Sequence, residues 1–300
     1  KAIIQNKYGL SNTLELVDVE KPRIKDGEVM IEVHSANIAS GDMRINTLDV
    51  PFGLKTIMRL IFGWNAPRNK IRGMTASGKI VEIGKDVTRF EIGDRVNLIN
   101  SMGAGCLAEY ICLSEKKIIS KIGDNISYAQ SAPVAFGAMS AYHFINEKTI
   151  HKGDKVLIYG ASGSVGTYAV QLAIYYGGEV TAVCSKKNHE AMIGLGAKHV
   201  IDYQVDDFSV GKKKYDVILD AVIKLKKKDI KNVLTENGRY LTLKMPTKEK
   251  IERLDEMNRI MNEGKMISLM DKEFTFDEFV TAHNLVYSKH KVGNVVINIK

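Results

Sequence analysis

The sequence predicts an α/β protein with a β-rich domain followed by a domain built on an open, doubly wound parallel sheet. The chain has 300 residues, which is roughly two domains by the usual size of a domain. Its first 120 residues contain short runs in which apolar and polar residues alternate, whereas strands and helices alternate from about residue 126. We therefore expect a domain boundary near residue 120.

Glycine turns separate the predicted strands of the first part, as at Asp26-Gly27, Gly84 and Gly93. The predicted strands are residues 28–33, 79–83, 95–98 and 109–113. Residues 37–46 and 50–70 are expected to form loops.

The second part alternates apolar strands with helices, which implies right-handed crossovers between parallel strands. Predicted strands are residues 156–159, 180–184, 199–201, 217–219 and 240–243, and predicted helices are residues 128–146, 165–176, 189–195 and 229–234. A polar helix over 247–262 ends at a Gly264 cap. The end of the chain is expected to form strand 272–276, helix 277–287 and strand 292–299, and to pack back on the first domain.

Composition and charge exclude several classes of protein. The chain is 45% hydrophobic and 26% charged, which is ordinary for a globular enzyme. Its net charge of +8 comes partly from lysine runs at 212–214 and 224–228 that contain no aromatics, so we interpret them as solvated faces and not as a nucleic-acid site. No apolar run approaches the roughly 18 residues of a membrane span, so no membrane partner is expected. The chain has only three cysteines, Cys106, Cys112 and Cys184, which are too few and too irregularly spaced for a disulfide framework. The N-terminus shows no export-signal pattern, so we expect a cytoplasmic location.

The strongest motif joins a buried strand to a helix through a glycine-rich turn. Residues 155–159 run into Gly160-Ala161-Ser162-Gly163-Ser164-Val165-Gly166, and an apolar helix follows. Such a turn presents backbone N–H groups and a helix dipole to a pyrophosphate. Gly163 would let the backbone approach the ligand, and Gly166 would let the helix pack closely. The alternative is a tight turn without a ligand.

The residues after the second predicted strand indicate which dinucleotide binds. An NAD site has an acidic residue there for the ribose 2′-hydroxyl, but this chain has Cys184-Ser185-Lys186-Lys187-Asn188. A hydroxyl and two ammonium groups favour a 2′-phosphate, and therefore NADPH. Glu179 lies at the opposite end of that strand. The alternative is an exposed lysine pair at the start of a helix.

With these residues in place, the chain resembles the zinc-free quinone oxidoreductase (zeta-crystallin-like) branch of the medium-chain dehydrogenase/reductases. The resemblance spans nearly the whole chain. It depends on GMTASGKIVEIGKDVTRFEIGDRV at 73–96, Ala108-Glu109-Tyr110, GASGSVGTYAVQLA from Gly160, Leu195-Gly196-Ala197 and Gly293-Asn294-Val295-Val296.

This resemblance implies a GroES-like β-barrel catalytic domain over residues 1–120 and 270–300. It also implies a Rossmann NADP-binding domain over 121–269, with the active site in the cleft between them. NADPH would lie along Ser162, Gly163 and Val165, with its 2′-phosphate near Ser185, Lys187 and Tyr203 and its nicotinamide near Ser140. Tyr203 can also be interpreted as an aromatic residue that closes a strand.

Zinc-dependent relatives have a Gly-His-Glu segment where this chain has Gly73-Met74-Thr75. Cys106 and Cys112 also lack the Cys-x-x-Cys spacing of a thiolate site. We therefore expect no zinc and no Lewis acid to polarise an alcohol. Reduction of a conjugated acceptor, a small-molecule quinone or an α,β-unsaturated carbonyl, remains as the expected reaction.

Candidate catalytic residues lie in the predicted loop 37–46. Quinone oxidoreductases commonly have an Asn three residues before a loop Asp, but here Ala39 stands three residues before Asp42. Asn37 is the nearby substitute, and Ser40, Asp42 and Arg44 are the other polar candidates. Loop capping and a surface ion pair are equally good interpretations of these residues.

The chain also departs from the family in length. Relatives usually have another strand and helix between the positions of Met245 and Pro246, including an edge strand used in dimer pairing. A homodimer is therefore less strongly expected. Two other functions stay open: a zinc-free NADP-dependent alcohol or aldehyde oxidoreductase, and a noncatalytic sensor that binds NADPH or nucleic acid.

Overall fold

The chain folds into two compact units, seen in a computed structural model that describes residues 1–50, 52–210, 213–245 and 247–300. Unit 1 comprises Lys1–Phe136, Lys250–Asn262 and Met270–Lys300, and unit 2 comprises Gly137–Glu249 and Glu263–Leu269. The Met245–Pro246 junction, where the resemblance leads us to expect a longer segment in relatives, includes a residue outside the described ranges.

The strands and helices are numbered in chain order. The strands are β1 (Ala2–Gln5), β2 (Leu14–Val17), β3 (Glu28–Asn37), β4 (Thr75–Ile83), β5 (Arg95–Ile99), β6 (Tyr110–Ser114), β7 (Ile118–Lys121), β8 (Lys155–Tyr159), β9 (Glu179–Cys184), β10 (His199–Asp202), β11 (Tyr215–Asp220), β12 (Leu234–Thr242), β13 (Met270–Thr275) and β14 (Asn294–Asn298). The α-helices are α1 (Ser40–Thr47), α2 (Phe52–Phe62), α3 (Tyr128–Ser131), α4 (Met139–Phe144), α5 (Ser164–Tyr175), α6 (His189–Gly194), α7 (Lys227–Lys231), α8 (Ile251–Asn262) and α9 (Phe279–Tyr287).

Unit 1 is built on a mostly antiparallel sheet with strand order β13-β14-β3-β4-β5-β7, and β6 pairs with β3 as well. The four strands predicted in this part of the sequence are present as β3 to β6. Val29, Ile31 and Val33 alternate along β3 into a buried core, as a strand with one covered face requires. At the end of the chain, β14 pairs antiparallel with β3 through Val296 and Asn37. The predicted return of the C-terminal strand to the first domain is therefore confirmed.

Two of the predicted loops contain helices, so the loop prediction was wrong there. Helix α1 begins within residues 37–46 because the Asp42 side chain accepts a hydrogen bond from the Ala39 backbone N–H, which caps the first turn. Helix α2 lies within residues 50–70, in a stretch rich in Leu, Ile and Met. The predicted continuous helix 128–146 is also wrong. Pro133 lacks a backbone N–H, so α3 ends at Ser131, a π-helical turn covers Val134–Ala138, and α4 follows.

Unit 2 is built on a five-stranded parallel sheet in the order β10-β9-β8-β11-β12. This is the strand order of a doubly wound dinucleotide-binding sheet through its fifth strand. The five strands predicted for this part are confirmed, as are helices α5 and α6. Helix α7 ends at Lys231 and β12 begins at Leu234, so the predicted extension of that helix to residue 234 was wrong.

Residues 121–136 and helix α8 belong to unit 1 by their contacts with the rest of that unit. The sequence analysis placed both of these segments in the Rossmann domain. Helix α8 packs on β7, and its Asn258 Nδ2 donates hydrogen bonds to Asn97 Oδ1 and Ser120 Oγ, both at 2.9 Å. Asn258 is only 2% exposed, so these bonds replace water for a buried amide. The domain limits at residues 120 and 270 stay predictions.

Candidate functional site

A tight turn follows β8 and leads into α5. Gly160 adopts a φ of +79°, which favours glycine, and a Cβ there would lie 2.6 Å from the Val222 side chain. The backbone N–H groups of Gly160 and Ala161 both donate to the Val183 carbonyl, at 3.0 and 3.1 Å. The turn is thus fixed to the end of the neighbouring strand β9.

Gly163 and Gly166 face different surroundings. A Cβ at Gly166 would come within 2.3 Å of the Gly160 carbonyl oxygen, so only glycine lets α5 approach the turn this closely. A Cβ at Gly163 would meet only the Gly160 oxygen, at an ordinary 3.5 Å. Apart from this oxygen and the two neighbouring residues in the chain, no heavy atom of the described residues lies within 4 Å of that position, as a ligand that approaches the backbone requires.

The N-terminus of α5 is suited to an anion. Its N-cap residue is Gly163, which has no side chain to accept hydrogen bonds from the first-turn amides. The helix runs for 12 residues, and residues 166–173 within it are buried. Its macrodipole and first-turn N–H groups therefore favour a negatively charged group at this end. The fold and the turn fit a dinucleotide pyrophosphate.

The register of the sheet places three predicted cofactor residues at one edge. Tyr159 pairs with Val183 across β8 and β9, and Cys184 pairs with Asp202 across β9 and β10. Gly160, Ser185 and Tyr203, which follow these strands, consequently lie at the same carboxyl edge. Open α/β sheets bind their ligands at this edge.

Two predicted phosphate ligands follow β9. Ser185 is half-buried and precedes a 3-10 turn over Lys186–Asn188, and its Oγ accepts a hydrogen bond from Asn188 Nδ2 at 3.2 Å. Lys187 is exposed. A hydroxyl and an ammonium group are thus available at the end of this strand.

Tyr203 is 51% exposed and lines a shallow cavity of about 310 Å³. The cavity is also lined by Asp206 and Asp207. These carboxylates repel a phosphate, so the side of the edge that favours an anion is the one at Ser185 and Lys187.

Ser140, the predicted residue for the nicotinamide end, lies on α4 and is 8% exposed. Helix α4 packs against α5. Just before α4, a Cβ at Gly137 would lie 2.7 Å from Ser164 Oγ, so glycine allows this segment to touch the first turn of α5. Helix α4, which contains Ser140, thus packs against α5, the helix that begins at the glycine turn.

Asp42 is buried in unit 1, and backbone amides occupy both of its carboxylate oxygens. Oδ2 accepts from the Ala39 N–H at 2.9 Å, and Oδ1 accepts from the Met74 N–H at 3.0 Å. Burial raises the pKa of this carboxyl from its ordinary 3.8 to about 6, against the lowering effect of these hydrogen bonds and of Arg72. Asp42 therefore joins the start of α1 to the residue before β4.

The other two catalytic candidates lie in contrasting places. Asn37 is 1% exposed at the end of β3, opposite Thr75 on β4. Within the part of the chain that the structure describes, neither its amide oxygen nor its amide nitrogen has a hydrogen-bond partner. Arg44 is exposed on α1. Asn37 lies opposite Thr75, and Asp42 is hydrogen-bonded to the preceding residue, Met74, so these two contact neighbouring positions. The catalytic role of all three candidates stays a prediction.

Arg72 is a residue of this region that sequence reasoning missed. It is 3% exposed, and its Nε donates to Asn46 Oδ1 at 2.8 Å. Its positive charge attracts the Asp42 carboxylate. Arginine is usually exposed, so the residue type gave no reason to expect that Arg72 is buried. The one sequence signal for its burial was its position directly before the segment that starts at Gly73.

No group of three or more His, Cys, Asp or Glu side chains that could hold a metal ion occurs among the described residues. Cys106, Cys112 and Cys184 are free thiols. Burial raises the pKa of the Cys112 thiol to about 11.

None of the helices in the described ranges is long and apolar enough to cross a membrane.

Comparison with known proteins identifies the class of protein. The alcohol dehydrogenase GroES-like domain matches residues 25–155, and the zinc-binding dehydrogenase domain matches residues 195–253. The chain is 28% identical to the chloroplastic quinone-oxidoreductase QR1 of Triphysaria versicolor, over 95% of this chain and 93% of that protein. It is 27% identical to the chloroplastic NADPH-dependent alkenal/one oxidoreductase of Arabidopsis thaliana, over 99% and 79%.

Among solved structures, the quinone oxidoreductase from Coxiella burnetii superposes with a TM-score of 0.83 at 26% identity, and covers 100% of this chain and 99% of that one. A GroES-like unit and a parallel dinucleotide-type sheet define a medium-chain dehydrogenase/reductase. The chain has the GroES-like and zinc-binding dehydrogenase domains of this superfamily, and the proteins to which it is similar include quinone oxidoreductases.

Proposed function

We propose that this chain is an NADPH-dependent oxidoreductase that reduces quinones or α,β-unsaturated carbonyls without zinc. The observation that carries the proposal is the glycine turn after β8, where Gly163 leaves open space in front of the N-terminus of α5. The names of the relatives, quinone oxidoreductases and an NADPH-dependent alkenal/one oxidoreductase, support the same acceptor classes.

The cofactor would be held by residues of unit 2. First-turn amides of α5 would bind the pyrophosphate, and Ser162, Gly163, Ser164 and Val165 would line it. Ser185 and Lys187 would bind the 2′-phosphate, on the side of Tyr203 that faces away from Asp206 and Asp207, and Ser140 would lie near the nicotinamide. The preference for NADPH over NADH is supported by the hydroxyl and ammonium groups after β9, where an NAD site would have a carboxylate.

Zinc independence is supported by the sequence at Gly73-Met74-Thr75, because methionine stands where zinc-dependent relatives have histidine. When bound, the nicotinamide supplies a hydride to an electron-poor carbon of the acceptor. The proton that completes the two-electron reduction can come from solvent. The chain therefore needs no dedicated buried acid for this chemistry.

Asp42 acts in this proposal as a positioning residue, because backbone amides already engage both of its oxygens. Through these two bonds it would hold the loop before α1 against the residue that precedes β4. The buried Asn37 has no such hydrogen bonds among the described residues, so its side-chain amide stays available to a group outside the sheet.

The test is a spectrophotometric assay of NADPH oxidation, with NADH in parallel, across benzoquinones, naphthoquinones, enals and plain aldehydes. We expect turnover of the conjugated acceptors with NADPH, with unchanged rates after dialysis against a zinc chelator. A reaction without enzyme corrects for the direct oxidation of NADPH by quinones.

Three outcomes would contradict the proposal. Oxidation of simple alcohols with NADP⁺, without turnover of conjugated acceptors, would identify an alcohol oxidoreductase. NADPH binding by fluorescence titration, with no turnover of any acceptor, would identify a sensor. Loss of activity on chelation that zinc restores would overturn zinc independence.

A further inference from the structure

We propose that helix α2 and Trp64 form a docking surface for an anionic lipid bilayer, on which the protein lies without crossing it. We call the exposed apolar side chains of this segment the α2 ridge. They are Leu54, Ile57, Leu60, Ile61 and Trp64, with exposed fractions of 50%, 51%, 58%, 41% and 54%.

The ridge is unusual because its apolar side chains are contiguous. Single exposed apolar residues are ordinary on protein surfaces, but a continuous exposed patch marks an interaction site. On a helix, Leu54, Ile57 and Ile61 are three and four positions apart and share one face. Leu60 and Trp64 extend the patch toward the end of the helix. The result is an exposed apolar face of several large side chains, which fits an interface.

The charges around the ridge indicate the chemistry of its partner. No Asp or Glu occurs from residue 50 to residue 81, whereas this stretch contains six Lys or Arg residues. Lys55, Arg68 and Lys70 are exposed, and among the described residues none of the three forms an ion pair. These cations are therefore available to an anionic surface.

Arg59 adds a second feature of an interfacial segment. It lies with its guanidinium over the Trp64 ring, 5.9 Å from the ring centre. Tryptophan beside apolar side chains and basic residues is typical of segments that lie at the level of lipid headgroups. Basic residues near such a surface add attraction that depends on anionic lipid and falls with salt. An apolar ridge with exposed cations, in a stretch without an acidic residue between Asp49 and Glu82, thus favours an anionic bilayer over a neutral one.

Trp64 makes the test specific, because it is the only tryptophan of the chain. The purified full chain is titrated with phosphatidylserine–phosphatidylcholine vesicles and with pure phosphatidylcholine vesicles. Binding is followed by the Trp64 emission maximum and by co-sedimentation. We expect a blue shift and quenching by brominated lipid with the anionic vesicles, and binding weaker by at least about tenfold with the neutral ones. Neither cofactor nor acceptor is present, so the result is independent of the proposed activity.

Two variants separate the apolar and ionic contributions. Leu54→Gln/Ile57→Gln/Leu60→Gln should weaken partitioning by at least about tenfold, because three half-exposed apolar side chains are lost to the bilayer. Arg68→Gln/Lys70→Gln should remove most of the preference for anionic vesicles. Ile92→Gln and Lys116→Gln, at exposed positions elsewhere in unit 1, should leave binding unchanged. Circular dichroism confirms that each variant is folded.

The proposal is overturned if wild-type protein binds neither vesicle, if it binds both equally, or if the triple Gln variant binds like wild type. It is also overturned if the wild type is an oligomer that the triple variant converts to a monomer while vesicles leave Trp64 unchanged. That result would assign the α2 ridge to contact between two copies of the chain.

Discussion

The Asp42 carboxylate accepts a hydrogen bond from the Met74 backbone amide at 3.0 Å, across 32 positions of sequence. Its other oxygen accepts from Ala39 at 2.9 Å. By the resemblance described above, Met74 takes the position expected for the histidine of a Gly-His-Glu segment in zinc-dependent members. The Gly73–Thr75 segment is thus joined to the first turn of α1, because its Met74 backbone N–H donates to Asp42.

Removal of the Asp42 side chain should lower stability. Asp42→Ala leaves two buried N–H groups without acceptors, and each such group costs about 1–3 kcal/mol. We expect a loss of about 2–4 kcal/mol in the free energy of unfolding, measured by urea titration. Asp49→Ala, at an exposed position just after α1, serves as the control and should change stability little. Equal stability of the two variants would show that the Asp42 hydrogen bonds contribute nothing.

Two buried groups of unit 1 should give opposite dependences of stability on pH. Burial lowers the pKa of His283 from its ordinary 6.5 to about 4, so the unfolded chain binds more protons between these values and stability rises with pH. The pKa of Asp42 is raised to about 6, so the folded chain binds more protons between pH 3.8 and about 6, and stability falls with rising pH. In the wild type the two contributions largely cancel.

Single variants reveal each contribution. In Asp42→Asn, the free energy of unfolding should rise more steeply than in wild type between about pH 4 and 6. In His283→Gln it should instead fall over this range. Each difference approaches about 3 kcal/mol across the full window. Urea titrations at a series of pH values measure it, and parallel curves for all three proteins would contradict the assignment.

Gly163 and Gly166 should respond differently to the same substitution. Gly166→Ala places a Cβ 2.3 Å from the Gly160 oxygen, so we expect a lower melting temperature. Gly163→Ala meets no close protein atom and has an allowed φ of −75°, so the melting temperature should stay near that of wild type. NADPH binding should nevertheless weaken in Gly163→Ala, because the new methyl group occupies the space proposed for the ligand. Unchanged NADPH affinity in this stable variant would show that the cofactor does not bind against Gly163.

The proposed 2′-phosphate contact can be tested by charge. Lys187→Ala should weaken NADPH binding by about tenfold or more and leave NADH nearly unchanged, since a lost charge-assisted hydrogen bond costs about 1.5–3 kcal/mol. Fluorescence titration with both cofactors measures the effect, and Lys224→Ala, at another exposed lysine of unit 2, controls for net charge. An equal loss for both cofactors would contradict the assignment.

Local patterns predicted most of the elements that build the sheets. The strands of unit 2 are continuous apolar runs, and the turn at Gly160 has its glycines where backbone geometry requires them. Residues 37–46 and 50–70 were predicted as loops, but they contain α1 and α2. Leu54, Ile57 and Ile61 follow helical spacing, a local signal that the prediction did not use. The Asp42 cap of α1 reaches only three residues back, so this helix had a local signal that the prediction did not use.

The sequence by itself determined the class of protein, the alternation of strands and helices in unit 2, and the glycine turn, since each can be recognised from short local motifs. Only the tertiary structure decided that Asn37 is buried, that Asp42 meets Met74 and that Arg72 meets Asn46. It also decided that Ser185 and Tyr203 share an edge with Gly160. These relationships join distant segments, and they follow from strand register and packing, which no local pattern specifies.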